Sequence, residues 1–293
     1  MKICGISDIH GDLNINIPEC DVLCICGDVI NLNDQKDIPA SKKWWETRFI
    51  KWVESLPCKK VIVVPGNHDF FLERMYNECW GWFKDHMTLL SNKKLEFLID
   101  EMYEYEGVSF YGTPWILPIT FQEGKWAFEH PHWWDFEDKK GYKYYQEIPK
   151  CDVLLTHDNP FENEALDLYS FGKATYHLFG HWHDGKDDSI KGKFNCSILD
   201  DMYNRKKKFK CVIIDIKPMK KLWIPTLEYI LDALKECALF TCPKSNEIAK
   251  HNEGILAMLE SLKNEDGPVP EDEIPWDTSA DVLESAIITD FSD

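Results

Sequence analysis

Seven short apolar runs recur along the first 216 residues of this 293-residue chain. They occupy residues 2–7, 21–27, 60–66, 108–112, 152–156, 175–180 and 209–216. Each has the length of a β-strand and is mostly apolar on both faces, which is typical of strands in buried sheets. Helical patterns lie between the early runs, at 40–56 and 70–83. The alternation predicts an α/β fold of layered sheets and helices.

Five of these runs end in the same way, because polar side chains follow directly after the apolar residues. The polar residues are Asp8, His10, Asp28, Asn67, His68, Asp69, His157, His181 and His183. In open α/β sheets, ligands bind at the carboxyl ends of the strands, so the five endings predict one shared crevice. In extended backbone, residues two apart such as Asp8 and His10 would also project to the same side.

The residue types in this crevice predict bound metal. Among these nine residues, three Asp or Asn side chains and four imidazoles would suit two divalent transition-metal ions. Asp28 is the best candidate to bridge both ions, because a carboxylate has two oxygens to share. Two ions about 3.5–4 Å apart would clamp the oxygens of a phosphoryl displacement and acidify a bound water. We expect Mn in the site, with Fe, Zn, Co and Ni as alternatives.

The same residues resemble the ordered motifs of the calcineurin-like metallophosphoesterases. The motifs are Asp8-Ile9-His10, Gly27-Asp28, Gly66-Asn67-His68-Asp69, His157 and Gly180-His181-Trp182-His183. Each motif alone is weak, but five in order at predicted strand ends are highly specific. The resemblance implies a catalytic domain at 1–217 with an αββα sandwich, in which two packed mixed β-sheets are flanked by helices.

The resemblance also implies a role for each residue. Metal 1 would be held by Asp8, His10, Asp28 and His183. Metal 2 would be held by Asp28, Asn67, His157 and His181. His68 would contact the phosphate and protonate the leaving oxygen, and Asp69 would orient His68. Asp69 is also placed to cap the helix that follows it.

A narrower resemblance rests on segments 17–29, 55–69 and 111–115. They are similar to those of a subgroup of small metal-dependent phosphodiesterases that includes brain-expressed mammalian members. This similarity implies that a metal-bound hydroxide hydrolyses a phosphodiester of a small molecule or nucleotide. The chain departs from the family pattern at 158–160, where Asp-Asn-Pro replaces Gly-Pro-Pro, and at Trp182, where the family has a smaller residue. Neither change removes a predicted ligand.

Three other functions fit the sequence less well. A nuclease acting on nucleic-acid ends is disfavoured by a net charge of −18, although ten of the acidic residues lie in 264–293. A protein phosphatase would have Asp-Arg-Gly and Arg where this chain has Asn31-Leu32-Asn33 and Pro65. A catalytically silent metal-binding scaffold or interaction protein is the alternative of another class, and the intact ligand set speaks against it.

The rest of the sequence predicts the compartment and the other regions. Eleven cysteines without a CxxC pair predict free thiols in a reducing cytoplasm. No apolar run is long enough to span a bilayer and no signal peptide is evident, so no membrane partner is expected. We expect a functional aromatic-rich insertion at 112–145, a helical extension at 218–263 and a disordered acidic tail at 264–293. The sequence carries no signal of oligomeric state.

Overall fold

All seven apolar runs form β-strands in the computed structural model, which describes residues 1–119, 125–129, 143–183, 192–206 and 211–217. These residues belong to one compact unit, Met1–Pro218. The predicted helical extension at 218–263 and the acidic tail at 264–293 lie outside the described residues. His130 and His132 of the aromatic-rich insertion also lie outside them.

The first sheet is mixed. It contains β1 (Lys2–Ile6), β2 (Cys20–Cys26), β3 (Cys58–Val64), β4 (Leu95–Phe97) and β10 (Val212–Asp215). Their order is β10-β1-β2-β3-β4, in which β10 is antiparallel to β1 and the other neighbours are parallel. The strands β1, β2 and β3 therefore end at the same edge, where their polar residues follow.

The second sheet is also mixed. It contains β5 (Glu101–Tyr105), β6 (Val108–Thr113), β7 (Cys151–Thr156), β8 (Ala174–Phe179) and β9 (Lys193–Asn195). These strands are hydrogen-bonded in numerical order, with β5 antiparallel to β6 and the remaining neighbours parallel. The histidines that follow β7 and β8 therefore lie at one edge of this sheet.

Helices cover the outer faces of both sheets. They are α1 (Ile38–Lys43), a π-helical segment (Trp44–Phe49), α2 (Ile50–Ser55), α3 (Phe70–Leu90), α4 (Lys143–Gln146) and α5 (Glu164–Ser170). Sequence periodicity predicts one helix at 40–56, whereas the structure has a π-helical insertion in it. Trp44 and Trp45 are adjacent and both buried, and the wider π turn changes the helical phase where they occur. None of the described helices combines the length and the apolarity needed to cross a membrane.

Three hydrophobic layers hold these elements together. Ile3, Val22 and Ile62 of the first sheet share one buried cluster with Phe110 and Leu178 of the second. The opposite face of the first sheet packs against aromatic residues of the π segment and α3, and the outer face of the second packs against α4 and α5. Helix, sheet, sheet and helix follow in that order, so the predicted αββα sandwich is confirmed.

The carboxyl ends of the two sheets approach each other closely, and two glycines permit the approach. A Cβ atom on Gly180 would lie 1.9 Å from Ser7 Oγ and 2.7 Å from the Cys26 carbonyl oxygen. A Cβ atom on Gly27, which has a φ of +97°, would lie 2.2 Å from His157 Nδ1. A larger residue at either position would keep the two edges apart. With glycine at both, the edges of the two sheets meet and their polar endings lie in one crevice.

Candidate metal centre

The first group of possible ligands lies where β1 ends. Asp8, His10 and His183 each present one ligand atom within 4.8 Å of the others. His183 Nε2 lies 3.2 Å from Asp8 Oδ1, while its Nδ1 lies 3.1 Å from the Asp200 carbonyl oxygen. The carbonyl accepts the Nδ1 proton, and this contact directs Nε2 toward the carboxylate, as expected for an oriented metal ligand.

His10 has a buried imidazole whose hydrogen bonds are unmade. Neither of its ring nitrogens has a hydrogen-bond partner within the described part of the chain. Burial lowers the pKa of His10 to about 4, so the ring is neutral at pH 7 and keeps a lone pair. Its Nε2 lies 3.8 Å from Asp28 Oδ2. A buried polar atom without a partner is costly, and a cation between these two atoms would satisfy it.

His157 faces hydrogen-bond acceptors at both ring nitrogens. Nδ1 lies 2.8 Å from the Cys26 carbonyl oxygen, and Nε2 lies 2.8 Å from Asn67 Oδ1 and 3.4 Å from Asp28 Oδ2. A neutral imidazole has only one N–H, so its other nitrogen would face an oxygen with lone pair against lone pair. A proton or a cation bound to that nitrogen removes the repulsion. Burial lowers the pKa of His157, but the negative charge of Asp28 outweighs it and raises the pKa to about 10.

Asp28 connects the groups. Its Oδ1 accepts a hydrogen bond from the backbone N–H of His68 at 2.8 Å, which leaves Oδ2 toward the imidazoles. Oδ2 lies 3.8, 3.8 and 3.4 Å from the Nε2 atoms of His10, His68 and His157. Asp28, His157 and His181 form another group within 4.8 Å. The structure therefore brings all seven predicted ligands into one crevice, with Asp28 shared between two groups.

The electrostatics of the crevice keep both aspartates charged. Burial works to raise the pKa values of Asp8 and Asp28, but the neighbouring histidines outweigh it and lower both. For Asp8 the main opposing contact is the hydrogen bond from His183, and for Asp28 it is the positive charge of His157. Two buried carboxylates among imidazoles and an amide oxygen are a donor set that fits divalent transition metals.

The backbone at the ligands differs from the extended backbone that the sequence predicts. Asp8, His10, Asp28 and His181 have φ values of 54°, 42°, 52° and 65°. This left-handed region is uncommon for residues other than glycine. The turns after the strands, rather than alternation along them, direct these side chains into the crevice.

His68 and Asp69 follow β3, but they do not contact each other in the way the resemblance implies. His68 Nδ1 lies 2.6 Å from Gln35 Oε1. The Asp69 carboxylate instead accepts backbone hydrogen bonds from Val29, Ile30 and Gly66 at 2.8 to 3.3 Å. The structure thus assigns the contact with His68 to Gln35, because both oxygens of Asp69 are engaged by the backbone. Asp69 occupies the N-cap position of α3, but its side chain caps no N–H of the described helix.

Three residues near the site were not singled out by the sequence. Gln35 contacts His68, and the ring of Trp126 lies 4.8 Å from the His68 ring. The ring of Tyr203 lies 5.1 Å from His10 and 5.3 Å from His183. No motif indicates any of the three, since they reach the crevice from loops. For Trp126 the sequence offered one indication, its place in the aromatic-rich insertion that we expect to be functional.

Comparison with known proteins gives the family. The family described as Calcineurin-like phosphoesterase matches residues 1–185, which is more than half of the chain. The protein therefore belongs to the calcineurin-like phosphoesterase family. The family typically binds divalent metals, and the candidate ligand groups of the crevice agree with this.

Individual relatives are distant. Probable rhamnogalacturonate lyase C of Emericella nidulans is 26% identical over 202 residues, which are 63% of this chain and 17% of that protein. A UPF0046 protein of Caenorhabditis elegans is 26% identical over 245 residues, 72% of this chain and 79% of that protein. Human Metallophosphoesterase domain-containing protein 1 is 25% identical over 213 residues, 61% of this chain and 60% of that protein. The chain thus spans less than two thirds of the fungal and human relatives.

Proposed function

We propose that this protein is a binuclear-metal phosphodiesterase that hydrolyses a phosphodiester of a small molecule or nucleotide. One observation carries the proposal. A single carboxylate oxygen, Asp28 Oδ2, lies 3.8 Å from His10 Nε2 and 3.4 Å from His157 Nε2, and these two histidines follow strands of different sheets. A shared oxygen with separate nitrogen ligands on its two sides is the arrangement that two adjacent cations require.

The family resemblance divides the seven side chains into two ligand sets that share Asp28. One ion would be held by Asp8, His10, Asp28 and His183. The other would be held by Asp28, Asn67, His157 and His181. When bound, two divalent ions supply an acidified water and stabilise the negative charge that develops on the phosphoryl oxygens. We propose Mn first because the set mixes carboxylate and amide oxygens with imidazoles; Fe, Zn, Co and Ni suit the same donors.

His68 is the proposed proton donor. Its side chain is only 8% exposed, and its Nε2 lies 3.8 Å from Asp28 Oδ2, at the edge of the ligand groups. An imidazole in this position can protonate the leaving oxygen as the ester bond breaks. Proton transfer by a positioned side chain typically accelerates a reaction by about 10²–10⁴-fold.

A diester is favoured over a monoester by the charges near the crevice. The guanidinium of Arg205 is engaged within the protein, because it donates to the Asp12 carboxylate and the Asn14 carbonyl oxygen. A monoester carries close to two negative charges at neutral pH and a diester carries one, so the diester has less need of an arginine. The net charge of −18 favours a small substrate over a nucleic-acid polymer, because an acidic protein repels the many phosphates of a polymer.

The proposed location is the cytoplasm. The nine cysteines in the described residues are all free. Unpaired thiols are typical of proteins in reducing compartments.

The test is hydrolysis of bis-p-nitrophenyl phosphate beside p-nitrophenyl phosphate, on metal-stripped protein reloaded with Mn²⁺. We expect diester cleavage that disappears in Asp28→Asn and persists in Asp21→Asn, a half-buried control near the other end of β2. In His68→Ala we expect unchanged bound metal, measured by elemental analysis, and turnover about 10²–10⁴-fold lower. Cleavage of the monoester alone would indicate a phosphatase. Protein that binds no ions would favour a non-catalytic interaction protein, and His68→Ala with the parent turnover would contradict the assignment of His68 as the proton donor.

A further inference from the structure

The imidazole of His68 is packed on two sides by aromatic rings. The His10 ring lies 4.8 Å away at an interplanar angle of 90°, and the Trp126 ring lies 4.8 Å away at 53°. The first is an edge-to-face contact and the second is a tilted one. Such packing holds the plane of an imidazole but does not distinguish its two nitrogens, because a half-turn of the ring leaves the shape nearly unchanged.

A hydrogen bond makes that distinction. His68 Nδ1 lies 2.6 Å from Gln35 Oε1. The amide nitrogen of Gln35 donates to the Leu32 carbonyl oxygen at 2.9 Å, so the oxygen of the amide is the atom that faces His68. An amide oxygen can only accept, and therefore Nδ1 carries a proton and Nε2 is the nitrogen directed toward Asp28.

The loop that carries Gln35 is itself held in place. Asn31 and Asp34 exchange hydrogen bonds, from Asn31 Nδ2 to Asp34 Oδ2 at 2.9 Å and from the Asp34 N–H to Asn31 Oδ1 at 3.0 Å. Ser41 Oγ donates to the Asp34 carbonyl oxygen at 2.7 Å. At the start of the loop, Asp69 binds the backbone N–H groups of Val29 and Ile30. The carboxylate expected to orient His68 therefore acts one step further back, on the loop that presents Gln35.

We propose that Gln35 is a positioning residue, which holds His68 with a proton on Nδ1 and with Nε2 directed into the metal centre. The proposal deepens the proposed function and rests on it, because it concerns the side chain assigned as the proton donor. Nδ1 stays a donor to Gln35 whether Nε2 has given up its proton or not, so the ring keeps its orientation throughout proton transfer. The amide achieves this without adding a negative charge beside Asp28.

The experiment compares three variants of the full-length chain. Gln35→Met keeps the length of the side chain but removes the acceptor, and Gln35→Glu retains an acceptor at the same reach. Asn33→Ala, an exposed position in the same loop, is the matched control. The tautomer of His68 is read from ¹H–¹⁵N spectra of histidine-labelled protein, metal-free and loaded with Zn²⁺. Turnover of bis-p-nitrophenyl phosphate is measured on the Mn²⁺-loaded protein.

We expect the Nδ1–H form of His68 in the parent, in Gln35→Glu and in Asn33→Ala, and its loss in Gln35→Met. We expect kcat to fall about 10–100-fold in Gln35→Met, while KM stays within about twofold of the parent. This loss is smaller than that expected for His68→Ala, because the proton donor is still present. Gln35→Glu should restore kcat to within about fivefold of the parent. If Gln35→Met does not fold, as judged by its melting temperature, Gln35→Leu takes its place.

The outcomes separate this proposal from the proposed function. An Nε2–H tautomer in the parent, or an unchanged tautomer in Gln35→Met, overturns the role of Gln35 even if the enzyme is active. A parent protein that cleaves neither ester would overturn the proposed function, while the spectra would still decide whether Gln35 fixes the ring.

Discussion

At the scale of single residues, the metal centre combines strained backbone with unmade hydrogen bonds. Asp8, His10, Asp28 and His181 have left-handed dihedrals. Each such residue costs about 1–3 kcal/mol and persists where the surrounding structure holds it. His10 adds two buried ring nitrogens without partners in the described structure. A bound cation would satisfy the nitrogen that carries the lone pair, so the free energy of unfolding should rise when metal is added.

His157 makes metal binding depend on pH. Its pKa is raised to about 10, so the metal-free protein carries a proton on this ring at neutral pH. A metal ligand must lose that proton, and each proton displaced makes the apparent affinity rise about tenfold per pH unit below the pKa. The pKa of His183 is raised as well, which adds to the effect near neutral pH. We therefore expect affinity for Mn²⁺ to rise at least about tenfold per unit between pH 6 and 8.

The measurement is isothermal titration calorimetry of metal-stripped protein in two buffers of different ionisation enthalpy, which counts the protons released. At least one proton per protein should be released at pH 7. His86→Ala is the matched control, since His86 pairs with Glu46 away from the ligand groups. An affinity that does not change between pH 6 and 8 would show that His157 is not protonated in the free protein.

At the scale of the elements, the approach of the two sheets depends on Gly180. It follows β8 and lies against the end of β1, where an added Cβ would overlap Ser7 Oγ at 1.9 Å. The nearby Asp8 Oδ2 and the Cys26 carbonyl, 2.8 and 2.7 Å from that position, leave no room for a shift. Separation of the edges would part the ligands that follow β1 and β2 from those that follow β7 and β8.

We expect Gly180→Ala to lower the free energy of unfolding by about 1–3 kcal/mol, the typical range for overpacked cores, and to weaken metal binding. Gly81→Ala is a matched control in α3, because a Cβ there meets nothing within 4 Å. An alanine in an exposed helix should stabilise by about 0.5–1 kcal/mol. Urea unfolding with and without Mn²⁺ measures both effects. Equal stability of Gly180→Ala and the parent would mean that the sheet edges can separate without loss.

At the scale of the whole molecule, the acidic charge is uneven. Ten of the acidic residues lie in 264–293, a segment without Lys or Arg. The sequence predicts that this tail is not packed against the catalytic domain. Deletion of 264–293 should therefore shift the melting temperature by less than about 2 °C. A change of about 1 kcal/mol in the free energy of unfolding would shift it by more than this in a protein of this size. A large fall, measured by differential scanning calorimetry, would show that the tail packs against the folded protein.

Much of the site was readable from the sequence because strand ends have a local signature. A short apolar run such as 60–66 predicts a buried strand, and the polar residues after it predict a position at the edge of a sheet. The residue types then favour metal. These inferences need only neighbours in sequence, whereas the separation of seven ligands from His68 and Asp69 rests on the family resemblance.

Only the tertiary structure decided which side chains meet across the crevice. Gln35 and His68 are 33 residues apart and joined by no shared periodicity, so no local pattern predicts their hydrogen bond. Asp69 likewise reads as a partner of His68, yet its oxygens are taken by backbone N–H groups of the loop after β2. The sequence by itself determined the strands, their polar ends and the chemistry available there, because those depend on adjacent residues. The pairing of the two sheet edges, and with it the role of each side chain, depends on contacts between distant segments that exist only after packing.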